Sequence, residues 1–222
     1  ASQFHPQNPS LFITAPMDGR LEMWDRKELK RIYTVTPPED MIFSCMALSP
    51  YNEYMLSVAD EYGHVYIWDM RQLKKPVYHY QAHGLSVCQI KFNPHDEKLL
   101  GTASTDTHFH LWYVEGNSRY GKNARASDRL TVDLLEESEA TSAMGGAENS
   151  MENVDVQCLK SFKTHNLPIT TWDWSVHDLG LLADAGSDYS LFVWNFVSSS
   201  FDDEDGGGGE GVSLAAVEVS DK

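Results

Sequence analysis

The sequence predicts an all-β protein built from a repeated unit of four short antiparallel strands. Three observations predict it. Tryptophan recurs in register at Trp24, Trp68, Trp112 and Trp194; the first two intervals are 44 residues each, and the last, 82, is one interval plus an insertion of 38. Six residues before three of these tryptophans stands an aspartate, Asp18, Asp106 and Asp188, while Tyr62, preceded by Asp60 and Glu61, holds that place in the second unit. A histidine stands 29 residues before two of them, His83 before Trp112 and His165 before Trp194. Self-similarity at a period of about 40–45 residues marks stacked supersecondary units.

Each unit reads as strands in the same order. "SVCQIKFNP" and "ITTWDWS" are β-rich runs ending in turn residues and supply first strands. "KLLGTASTD" and "LGLLADAGSD" supply second strands that end in an aspartate turn. "HVYIW" and "HFHLW" alternate polar with large apolar groups, as third strands packed on one face do. Gly19 and Gly63 precede the third strand in the first two units. "KPVYHYQAH" supplies a more polar fourth strand. The first unit begins at "SLFITAPMDGRLEMW", which leaves it without an opening strand.

Four strands per repeat, this period and the W-D ending ("MWD" at Trp24–Asp25, "IWD" at Trp68–Asp69) resemble the WD40 family of β-propellers. The resemblance covers residues 11–114 and 156–197. It implies about four blades here, the C-terminal part of a seven-bladed ring, because four sheets of this kind leave a sheet face and an edge uncovered. The blades occupy residues 1–197, interrupted by an acidic, low-complexity insertion at 115–155 ahead of one blade's last strand. Residues 198–222 form an acidic, glycine-rich tail with room for a short terminal strand.

The resemblance also gives the recurring residues a role. The turn aspartate accepts hydrogen bonds from the turn backbone and from a histidine in the loop entering the blade. A serine on the second strand links that histidine to the indole. The third unit holds the complete set, His83, Ser104, Asp106 and Trp112. In the fourth, His165, Asp188 and Trp194 are present and Gly186 replaces the serine. The first carries Asp18 and Trp24; the second carries Trp68, lacks the histidine and has a displaced aspartate, so it is expected to be the loosest blade. Blade geometry explains the spacing of these groups better than a metal or catalytic centre does.

Composition narrows the function. The chain has a formal net charge of −16 over 222 residues, but with tail and insertion set aside the blades carry only about −5. No basic stripe interleaved with aromatics points to nucleic acid. No run approaches the roughly 18 apolar residues of a membrane span, and no secretory leader is visible at the first residues. Cys45, Cys88 and Cys158 form no even framework, and Cys45 and Cys88 fall in equivalent first strands as small core residues; a reducing compartment follows. Both acidic segments are poor in aromatics and are expected to be mobile, although "LTVDLLEE" at 130–137 has the pattern of a short docking element. No nucleophile–base set, phosphate loop, metal cluster or cofactor site is apparent.

The order "RLEMWDRKELKRIYTV", "YIWDMRQLKKPV", the acidic insertion and "KTHNLPITTWDWSVHDLGLLADAGSDYSLFVW" is similar to the WD-repeat family that interacts with the EARP and GARP vesicle-tethering complexes. The nuclear-pore and peroxisomal-import WD40 proteins share parts of it. That resemblance implies a non-catalytic scaffold in a multi-subunit protein complex, cytoplasmic and endosome- or Golgi-associated rather than nuclear, with no small-molecule substrate. Its candidate partner-binding rim is the residue just ahead of each turn aspartate: Met17, Thr105, Ser187 and, by position, Glu61. "WDMR" also matches the WDxR pattern of cullin-4 ubiquitin-ligase substrate receptors, which implies an adaptor contact through Asp69 and Arg71. The competing expectation for Arg71 is a local pair with Asp69, and the single copy of the motif favours it.

Overall fold

The computed structural model describes residues 1–16, 18–36, 42–114 and 156–196. Their regular structure is β throughout, in four antiparallel sheets. Sheet 1 holds β1 (Ser2–Phe4), β2 (Leu11–Thr14), β3 (Leu21–Asp25) and β4 (Lys30–Val35). Sheet 2 holds β5 (Phe43–Leu48), β6 (Met55–Asp60), β7 (His64–Asp69) and β8 (Tyr78–Gln81). Sheet 3 holds β9 (Val87–Phe92), β10 (Leu99–Ser104), β11 (His108–Val114) and β12 (Val156–Lys163). Sheet 4 holds β13 (Ile169–Trp174), β14 (Leu181–Gly186) and β15 (Leu191–Asn195). Within each sheet the strands lie side by side in chain order, so every connection is a local reversal.

The first unit does have an opening strand, contrary to expectation. Ser2–Phe4 pairs with Phe12–Thr14, although all three of its residues are exposed and no apolar alternation marks it. The rest of each unit falls where its periodicity puts it.

The sheets stack in sequence order, β1 against β5, β5 against β9 and β9 against β13, as an unclosed part of a propeller. The core therefore lies between sheets. Trp68 packs with Ile13 and Leu21 of the sheet before it, Trp112 with Val65 and Ile67, and Trp194 against Phe109 and Phe162. Each indole thus fills the same seam, and burying a large side chain there is worth about 1.5–3 kcal/mol. Trp24 holds the same place in sheet 1, where no described sheet precedes it; it stacks on Phe12 with ring centroids 6.1 Å apart.

Two further features repeat with the tryptophans. A bulge interrupts the first strand at Ser44, Cys88 and Thr170, and each side chain bonds back to the partner strand, at Ala59 O (3.1 Å), Ala103 O (3.1 Å) and Ala185 O (2.9 Å). Cys88 is therefore the counterpart of Ser44, not of Cys45; the two cysteines lie in equivalent strands one position out of register. Burial pushes the Cys45 thiol up to about 12 and that of Cys88 to about 11, so both stay protonated. The turn between second and third strands reaches positive φ at Gly19 (77°), Gly63 (89°), Thr107 (76°) and Tyr189 (62°). Glycine suits that conformation in the first two units, and the other two tolerate a side chain there.

Residues 115–155 and 197–222, with the expectations of mobility, a docking element and a terminal strand, lie outside the described residues. The flanks of the insertion are informative. Val114 and Val156 are direct partners across β11 and β12, so the chain leaves and rejoins sheet 3 at one point. Replacing 116–154 by a short Gly-Ser turn is therefore expected to leave the fold intact, because closure entropy depends weakly on loop length. A circular-dichroism melt checks this, with loss of the cooperative transition as the contrary result.

Candidate functional site

The polar set of sheet 3 is built from the loop after β8, the strand β10 and the turn into β11. His83 is buried, and both ring nitrogens are engaged. Nδ1 donates to Asp106 Oδ2 at 3.0 Å, and Nε2 lies 2.8 Å from Thr102 Oγ1. Trp112 Nε1 donates to the same hydroxyl at 2.9 Å. Thr102, and not Ser104, is therefore the link between histidine and indole. Ser104 serves the backbone instead: its hydroxyl donates to Ser86 O (2.9 Å) and accepts from Asp106 N (3.1 Å), which braces the turn. The expectation misplaced the link by one pleat, since residues two apart share a face and both carry hydroxyls.

Asp106 also accepts from the amides of Gly84 (3.1 Å) and His108 (3.0 Å). Burial opposes its ionisation, but His83 and these amides outweigh it and hold the carboxyl well below the usual range. His110 stacks on His83 at 4.1 Å with its ring 9° from parallel and donates from Nδ1 to Ala82 O at 2.8 Å. Burial, then the charge of His83, pushes His110 down to about 4.

Sheet 4 repeats this frame with two changes. His165 Nδ1 is 2.9 Å from Asp188 Oδ1, and Ser190 Oγ joins the pair at 3.0 Å from Nδ1. Gly186 stands at the serine position because a Cβ there would come within 2.5 Å of His165 Nδ1. At the position of Thr102 stands Asp184, fully buried, with Oδ1 at 3.5 Å from His165 Nε2. Neither its oxygens nor Trp194 Nε1 meets a hydrogen-bond partner among the described residues. Burial pushes the Asp184 carboxyl up, against the opposing pull of Thr164, His165 and Trp194.

The same position explains the first two sheets. In sheet 1 it is Thr14, which accepts from Trp24 Nε1 at 3.3 Å; Asp18 there holds the amide and guanidinium of Arg20. In sheet 2 it is Val58, and Trp68 Nε1 has no hydrogen-bond partner among the described residues. The second sheet nevertheless has a polar set of its own, centred on Asp60. Asp60, 1% exposed, accepts from Tyr62 N (2.9 Å), His64 N (2.8 Å) and Tyr66 Oη (3.1 Å), and its Oδ2 lies 3.1 Å from His64 Nδ1. His79 stacks on Tyr66 at 4.5 Å. Moving the acid two residues earlier rebuilt the set with different partners.

The aspartates and histidines are thus consumed within the sheets, and among the described residues no group of three His, Cys, Asp or Glu could hold a metal ion. The rim residues do share one position. The amides of Glu61, Thr105 and Ser187 donate to Ile42 O, Ser86 O and Pro168 O at 3.2, 3.0 and 2.9 Å. Met17 lies outside the described residues. Beside them stand exposed apolar groups that composition did not flag: Tyr62 (58%), Leu85 (55%), Leu167 (49%) and Tyr189 (94%). Leu85 and Leu167 are repeat equivalents, each two residues beyond the buried histidine.

Arg71 grips Asp69 through Nε and Nη2, at 2.9 and 2.6 Å, and lies 4.5 Å over the Tyr54 ring. Its side chain remains 64% exposed. Arg20 and Asp18 form the same i, i+2 clamp. Exposed pairs contribute about 0–1 kcal/mol, so Arg71→Ala is expected to leave the denaturation midpoint nearly unchanged. A ligase role would show instead as capture of the cullin-4 adaptor by the wild-type chain and its loss in this variant.

Comparison with known proteins agrees with this geometry. Residues 74–113 and 156–195 match the WD40 family (WD domain, G-beta repeat). The first match runs from β8 through β11 and the second from β12 through β15. No curated protein matches the sequence significantly. Among many similar solved structures is a chain of the "Crystal Structure of Mitotic Checkpoint Complex", at 15% identity and a TM-score of 0.62 over 87% of this chain. This chain spans 46% of the length of that one. Two segments of the chain accordingly match WD40 repeats, and its fold is that of part of a β-propeller.

Proposed function

We propose that the chain is a non-catalytic scaffold module of a larger propeller, binding partner proteins at the end of the sheets that carries the aspartate turns. One observation carries this reading. His83 and His165 are each engaged by an aspartate within their own sheet, while Tyr62, Leu85, Leu167 and Tyr189 stand exposed around them. Exposed tyrosines are enriched among the anchors of protein interfaces, and the two leucines extend the apolar surface beside them. Their mixed acidic and polar neighbours, Glu61, Thr105 and Ser187, suit a polar rim. The finer reading rests on the likeness in repeat order: an adaptor for vesicle-tethering complexes at endosomal or Golgi membranes, acting from the cytoplasm. Immobilised full-length chain should retain subunits of the EARP or GARP complexes. Failure to retain them, with the chain folded, removes the tethering reading and leaves the scaffold.

A further inference from the structure

Positive charge is gathered in one place on an otherwise acidic chain. Among the described residues, 25–31 and 69–75 hold seven of the twelve lysines and arginines but three of the fifteen acids, so they are basic where the rest is acidic. The first segment, "DRKELKR", spans the turn from β3 to β4, and the second, "DMRQLKK", leaves β7 for β8. They are repeat equivalents in adjacent sheets, at the end where the third strand finishes. Met70 and Leu73 line one cleft with Met23, Tyr33 and Val35, which lays the second segment against β3 and β4.

The cluster keeps its charge after its own pairings. Asp25 Oδ1 caps the turn, accepting from the amides of Lys27 and Glu28 at 2.7 and 3.2 Å. Asp69 holds Arg71, and Glu22 holds Arg31. Glu28, and Glu53 near Arg71, offset part of the remainder. Arg26, Lys27, Lys30, Lys74 and Lys75 are all exposed and form no ion pair among the described residues. Apolar side chains stand among these cations: Leu29, at φ 50° in the β3–β4 turn, is 79% exposed, and Val77 is 53% exposed.

We propose that these two turns form a peripheral binding surface for an anionic phospholipid membrane, with the lysines among the headgroups and Leu29 at the acyl boundary. Lysine offers a compact, mobile point charge, which suits a diffuse negative surface better than bidentate recognition of one group. Apolar tips flanked by lysine and arginine hold proteins at the membrane interface through both attractions together. An acidic peptide fits less well, because the cleft between the segments is lined by apolar groups and Glu22, with no lysine or arginine. The chain's net charge of −16 opposes approach. Screening confines each charge to about 8 Å at physiological salt, so the charges nearest the membrane decide. The aspartate turns precede the third strand and these turns follow it, so the two surfaces lie at opposite ends of the sheets. The inference therefore does not rest on the partner-binding rim, and both ends can be occupied at once.

Sedimentation of the full 222-residue chain with vesicles tests this. The chain should pellet with phosphatidylcholine vesicles containing about 30% phosphatidylserine, and stay in solution with phosphatidylcholine alone or in about 0.5 M salt. Lys27→Glu, Lys30→Glu, Lys74→Glu and Lys75→Glu together should weaken binding at least about a hundredfold. Leu29→Ser, which leaves the charge unchanged, should weaken it about tenfold. All five side chains are exposed, so both variants should melt with the wild type. Failure to pellet with the anionic vesicles overturns the proposal, and capture by immobilised polyglutamate in that case would assign the surface to an acidic protein segment. Equal pelleting of wild type and the folded charge-reversal variant overturns it as well.

Discussion

Asp106→Ala is expected to destabilise the protein by about 3 kcal/mol at neutral pH. The carboxylate accepts from the buried His83 ring and from two backbone amides, and hydrogen bonds to a charged group are worth about 1.5–3 kcal/mol each. The sum is discounted because Asp106 is partly exposed and water can replace it at Gly84. The effect also has a pH signature. The carboxyl is depressed in the folded state, so its contribution is complete above the unfolded value of about 3.9 and is lost as pH falls through the folded one. Denaturant midpoints of variant and wild type should be well apart at pH 7 and begin to approach each other only as pH falls below about 3.9, toward the lower folded value. Coincident midpoints at pH 7 would show that His83 does not depend on this acceptor.

Asp184→Thr is expected to act in the opposite direction, stabilising by about 2 kcal/mol at pH 7.5. It removes a buried carboxyl without a well-aligned partner and restores the hydroxyl that joins histidine to indole at Thr102. Here the folded carboxyl is raised by burial, so the fold prefers it protonated. Wild-type stability should therefore fall as pH rises from the unfolded value through the folded one, and the advantage of the variant should widen over that window and then level off. Midpoints measured from pH 4 to pH 8 check this. A variant weaker than wild type throughout would make Asp184 a working partner of His165.

The repeat was legible because it rests on large, rare residues. Trp24, Trp68, Trp112 and Trp194 locate every third strand, and His83 and His165 mark the loops that enter two of the sheets. What the sequence concealed sits in smaller or exchangeable residues. Thr102 and Ser104 lie on the same face of β10, and only coordinates show which hydroxyl reaches the indole. The bulge residues Ser44, Cys88 and Thr170 perform one task with three chemistries, so no identity links them. Asp60 sits two places from its expected register, and the exposed strand Ser2–Phe4 has no alternation to betray it. The apolar rim was hidden for a related reason: Leu85 and Leu167 look like core leucines until the turn that holds them is seen to face outward.

If the buried histidine–aspartate sets only hold the sheets together, and the exposed residues beside them bind proteins, stability and binding must separate. The direct measurement pairs a thermal melt with capture of EARP or GARP subunits by immobilised chain, for wild type and for the double variant Leu85→Asp, Leu167→Asp. Both positions are about half exposed, so the melting temperature should change little. Capture should be lost, because charges replace two apolar anchors. Undiminished capture by a folded double variant would contradict the placement of the interface on this rim.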